Sequence, residues 1–164
     1  MKSPLKTVIK AVIAAMFFST GVYAQTGDTN TLMQIAHGDK LVLKKDLFLP
    51  ANTDQINFGV VRDSGYLATG CALILKPTQN ARKIPQQTEL VFSGENKQEV
   101  TKNEFGNTDW RYKAVILNSQ SVDALECYGT SLPYYGPKSL YISGMKENLK
   151  DTFDFVPTEP EITN

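Results

Sequence analysis

From Lys40 onward, apolar residues recur at every second position in short runs, and turn-forming residues separate the runs. Period two is the spacing of a strand with one buried face, so the pattern commits most of the chain to β-sheet. Leu41, Leu43, Leu47 and Leu49 share one face, with Lys45 interrupting and Pro50 ending the run. Ile56, Phe58 and Val60 alternate next, before the turn residues Arg62-Asp63-Ser64-Gly65. Tyr66 to Lys76 then puts Leu67, Cys71, Leu73 and Leu75 in one phase and Ala68, Gly70, Ala72 and Ile74 in the other. The small second face suits a strand packed on both sides.

A polar loop from Pro77 to Gln87 precedes the run Thr88 to Phe92, after which Ser93-Gly94-Glu95-Asn96 reads as a hairpin turn. Residues 97–102 then pair back across it as an exposed strand. Trp110 to Asn118 carries Tyr112, Ala114 and Ile116 on one face, and Val122 to Tyr128 returns bearing Cys127 beside Leu125. Near the end Met145, Leu149 and Phe153 recur at helical spacing, with Ser143 placed to cap. A last strand, Phe153 to Val156, competes with that helix for Phe153. The sequence therefore predicts a mainly β fold: an antiparallel β-sandwich or barrel of about seven short strands with one short C-terminal helix. That single domain spans 39–156, between a flexible leader at 25–38 and a disordered tail at 157–164.

The first 24 residues read as an address. Lys2, Lys6 and Lys10 precede the apolar run Ala11 to Phe18, and Val22-Tyr23-Ala24 supplies the small residues of a cleavage site, the pattern of a secretory signal peptide. Eight apolar residues make only about 12 Å of helix, against a bilayer core of about 30 Å. No membrane span is expected after cleavage. Removing the three lysines lowers the basic total from 17 to 14 against 17 acidic residues. The mature chain of 140 residues is thus mildly acidic, which disfavours nucleic acid as a partner. There is no Asn-x-Ser/Thr triplet, which fits a bacterial secretory setting, periplasmic or extracellular.

Cys71 and Cys127 are the only cysteines. In an oxidising compartment an even pair reads as a disulfide, and both lie in phase with apolar residues, so a buried structural bridge is expected. Neither has a Cys-x-x-Cys partner or a nearby histidine that would suggest redox or metal chemistry.

Catalytic groupings are scarce. The single histidine, His37, has no second ligand to hold zinc and no nucleophile at triad spacing. Glu104, Asp109, Asp123 and Glu126 are the carboxylates that a glycosidase-like mechanism would need, but Glu126 faces opposite to Leu125 and Cys127, on a solvated side. No phosphate, dinucleotide or calcium motif is present, so no cofactor, no metal and no enzyme activity are expected. Lys44-Lys45 and Arg82-Lys83 read as solvated charge, the latter within a loop.

The stretch Tyr128 to Pro137 is the most suggestive, because Tyr134 and Tyr135 stand between prolines with Tyr128 before and Tyr141 after. Tyrosines held in that way offer rigid amphipathic contact area. The expected function is binding of a macromolecule, protein or another envelope component, by Tyr128, Tyr134, Tyr135 and Tyr141. The alternative is a small-ligand carrier with a barrel cavity, and a carboxylate-based hydrolase ranks third.

Overall fold

The period-two runs pair antiparallel throughout. The computed structural model describes residues 30–59, 69–77, 80–103, 105–131 and 140–159. Nine strands form in chain order: β1 (Lys40–Leu43), β2 (Leu47–Leu49), β3 (Gln55–Phe58), β4 (Thr69–Leu75), β5 (Arg82–Ile84), β6 (Glu89–Lys102), β7 (Thr108–Ile116), β8 (Val122–Ser131) and β9 (Phe153–Val156). One helix, α1 (Ile142–Leu149), precedes β9. Seven strands make one sheet in the order β3-β4-β8-β7-β6-β1-β9, and β2 pairs with β5 separately. The mainly β antiparallel fold with one short C-terminal helix is as the sequence predicts. Its architecture is one curled sheet.

The curl is visible in its edges. β3 and β9 lie at opposite ends of the strand order, yet the Phe58 and Phe153 rings meet edge to face at 5.7 Å. One face of the sheet therefore turns inward, carrying Leu41, Leu43, Leu73, Leu90, Phe92, Tyr112, Ala114, Leu125 and Phe153, all buried. Helix α1 packs on β4 and β9 and drives Met145 and Leu149 into the same core. Burial of this continuous apolar face supplies the main driving force for the fold.

Cys71 stands directly opposite Cys127 in the β4–β8 register, and the two are disulfide-bonded, with Cα atoms 4.0 Å apart. Both are fully buried, as the phase of their neighbours predicts. The bridge therefore sits on the inner face, between the first two long strand pairings. Gly70, on the outer face of β4, is opposite Tyr128, and a Cβ there would stand 2.9 Å from the Phe58 carbonyl oxygen and 3.1 Å from Tyr128 Oη. The small face of β4 is thus packed by an aromatic from the next strand.

Several local expectations need correction. Ser93 to Asn96 is no turn. β6 runs unbroken through it as a 14-residue strand, and the register against β7 shifts between Phe92 and Asn96. Gly94, at φ +77, absorbs that shift as a bulge, and a Cβ there would press on the His37 backbone. The hairpin turn lies instead at Asn103 to Asn107, where the Asn103 side-chain oxygen accepts the N–H groups of Phe105 and Asn107.

The Leu41–Leu49 run breaks into β1 and β2 at Lys44–Asp46, and the expected loop from Pro77 to Gln87 contains β5, which takes β2 as its partner. Arg82 is accordingly not loose charge: its guanidinium donates to the carbonyls of Lys76 and Gln120. Ser143 lies inside α1, whose N-cap is Tyr141, and Phe153 belongs to β9.

The segment read as a loose leader is packed from residue 30. Leu32, in a short 3-10 turn (Leu32–Gln34), and Ile35, which follows it, are both buried, and the Tyr112 hydroxyl donates to the Leu32 carbonyl. At the tail, the Asp39 carboxylate accepts N–H groups from both Ala36 (2.9 Å) and Thr158 (2.7 Å). One buried carboxylate thereby ties both flanks of the domain to β1. Residues 1–29 and 160–164 lie outside the described residues.

Candidate functional site

Trp110 and Tyr112 occupy successive inner-face positions of β7, opposite Val100 and Gln98 of β6. At this end of the sheet β1 has already stopped, so the inner face is covered by two non-strand segments. One is the 3-10 turn with Thr31 and Met33, held to β6 by Asn96, whose amide donates to the carbonyls of Met33 and Ile35. The other is the lead-in to α1, Leu140 and Tyr141. Thr31 and Tyr141 form a β-bridge, and the Ile142 N–H donates to the Asn30 carbonyl at 2.9 Å.

Between these pieces lies a pocket of about 120 Å³, lined by Thr31, Met33, Gln98, Trp110, Tyr112, Leu140 and Tyr141. Its walls are mostly aromatic and apolar. Tyr112 is buried, Trp110 and Tyr141 are half-buried, and Met33 is exposed at the rim. Burial holds the Tyr112 phenol far above its ordinary pKa, so it stays a neutral donor to Leu32. A site of this size and lining suits one apolar or aromatic side chain, with Gln98 as the polar group in its wall.

Of the four tyrosines expected to bind, Tyr141 is in this pocket. Tyr128 is not: it faces outward over Gly70, beside Arg111 in the β7 register, and burial followed by the nearby Glu126 charge raises its pKa. Tyr134 and Tyr135 lie outside the described residues. Sequence reasoning passed over Trp110 and Met33. Trp110 was legible, being the sole tryptophan and in phase with Tyr112.

The candidate carboxylates are taken up locally. Asp109 accepts from Thr130 (2.7 Å) and Asn103 (3.2 Å), Asp123 pairs with Lys113 (3.1 Å) and Glu126 pairs with Arg111 (3.6 Å). Glu104 is outside the described residues. His37 places Nδ1 3.1 Å from the Ser93 carbonyl. Among the described residues no cluster of three His, Cys, Asp or Glu side chains forms that could hold a metal.

A second hollow, of about 220 Å³, runs between α1 and β9 over Leu41, Leu149 and Phe153. Its lysines are engaged: Lys44 pairs with Asp154 (3.3 Å), Lys150 with Glu147 (2.6 Å), and Lys146 lies over the Phe155 ring. This groove is therefore charge-compensated, unlike the open aromatic pocket.

Compared with known protein families, curated proteins and solved structures, the chain matches none of them. The disulfide is consistent with an oxidising compartment. No helix among the described residues is long and apolar enough to cross a membrane.

Proposed function

We propose that the protein is exported, to the periplasm or beyond the cell, and acts by binding a partner protein through the Trp110–Tyr141 pocket. The observation that carries this reading is the pocket itself: Trp110 and Tyr141 half-buried around a hollow of side-chain size, with Met33 exposed at its rim. Tryptophan and tyrosine in such a setting are the residues that anchor interfaces, and the contact they make is desolvated at its centre. Export is supported by the signal-like first 24 residues and by the buried Cys71–Cys127 bridge.

The carrier alternative needs a cavity of several hundred Å³ inside the sheet. Phe92, Tyr112, Leu73, Leu125 and Met145 occupy that volume, and this favours a contact site over a carrier.

The test compares the oxidised protein with Trp110→Ala and Tyr141→Ala variants as bait in envelope and culture-medium fractions of the producing cell. A discrete protein retained by the parent and lost from both variants, with thermal unfolding unchanged, supports the reading. Equal retention by all three overturns it.

A further inference from the structure

β1 pairs with β6 only from Glu89 to Val91, and the chain before β1 follows that edge a little further, through Gly38 to Phe92 and the His37 ring to Ser93. Beyond Asn96 no strand pairs with the outer edge of β6 among the described residues. Lys97 to Lys102 are all exposed, and Val100, half exposed at 50%, is the one apolar residue among them. An extended stretch of six residues thus presents main-chain donors and acceptors that another extended strand can satisfy.

We propose that this edge pairs antiparallel with the same edge of a second copy, about a two-fold axis at Val100. The side chains select the occupant and the register. A two-fold normal to the sheet keeps inner faces together, so it must pass between identical residues. At Val100 it sets Val100 against Val100, Gln98 against Lys102, Glu99 against Thr101 and Lys97 against Asn103. No like charges face each other. An axis at Glu99 or Lys102 opposes identical charges, and one at Thr101 sets Val100 against Lys102. An axis at Gln98 brings the incoming strand onto Asn96, where the Met33–His37 segment already lies. At the Val100 axis the two Glu99 side chains sit diagonally, and each has Arg111 opposite it on β7. The dimer joins two curled sheets through their β6 edges and leaves the Trp110 pockets on its common inner face. It is independent of what those pockets bind.

The experiment uses the full oxidised protein. Light scattering coupled to size exclusion is expected to show a dimer that dissociates on dilution. Val100→Lys, which sets two lysines at the axis, weakens the dimer by about tenfold or more. Val100→Cys forms an intermolecular disulfide in air, whereas Leu117→Cys, about equally exposed at 53% but just past the far end of β7, does not. A monomer at all concentrations overturns the proposal. So does a dimer that Val100→Lys leaves intact, or cross-linking at Val100 no faster than at Leu117.

Discussion

Phe58 and Phe153 come from the two edge strands of one seven-stranded sheet, yet their rings meet edge to face at 5.7 Å. That contact is what the curl of the sheet achieves: the first and last strands of the spatial order are brought together by side chains rather than by a backbone ladder. α1 packs beside the junction, with Asn148 donating toward Cys71 Sγ and lying against Gly59.

The ring pair should therefore couple the two edges energetically. A double-mutant cycle with Phe58→Leu and Phe153→Leu, measured by urea unfolding, is expected to give an interaction of about 0.5–1.5 kcal/mol. Strict additivity would mean that the edges are stabilised separately.

The disulfide closes a loop over a sequence separation of 56 and is fully buried. Replacing both cysteines by alanine should lower unfolding free energy by about 2–4 kcal/mol, because the unfolded chain regains loop entropy. In the native protein, reductant alone should leave the bridge intact, and intact mass with and without denaturant checks this.

Asp39 holds the backbone N–H groups of Ala36 and Thr158, which lie on either side of the domain in sequence. Asp39→Ala strands two partly buried donors and should cost about 1–3 kcal/mol. Hydrogen exchange is the specific readout: the Ala36 and Thr158 amides should lose protection together while those of β7 and β8 keep theirs.

Tyr112 gives an alkaline signature. Its phenol titrates near pH 10.0 in the unfolded chain, while burial raises it well above that in the folded one. Between those values the unfolded state loses a proton that the folded state keeps. Its contribution is therefore complete below about pH 10 and falls as pH rises, by up to about 1.4 kcal/mol per unit. Tyr112→Phe should flatten that limb, at a cost of about 1 kcal/mol at neutral pH from the lost hydrogen bond to Leu32. Unfolding measured from about pH 8 to pH 11 decides between the two slopes.

The inner face was legible because alternation repeats along it: the phase of Cys71 with Leu73, and of Cys127 with Leu125, is a local signal that registers directly in a strand. What the sequence concealed depends on long-range pairing. Ser93-Gly94 has the composition of a turn, and only the continued pairing of β6 with β7 makes it a bulge. β5 is three residues long and exists because β2 pairs with it. Leu32, Met33, Ile35 and Ala36 form a short apolar group of the kind that makes a helical turn, but the polar stretch before them does not announce that Leu32 and Ile35 enter the core. The site divides in the same way. Tyr141 was in view, but its pocket is assembled from β6, β7, the 3-10 turn and the lead-in to α1, whose adjacency no spacing encodes.

Whether the Trp110–Tyr141 pocket receives a partner protein is decided by photo-cross-linking in the producing cell from benzoylphenylalanine placed at Met33, on the pocket rim. A discrete adduct is expected from Met33 that vanishes when Trp110→Ala is added, with none from the equally modified Leu117 position. No adduct from Met33, or one of equal yield from Leu117, would contradict it.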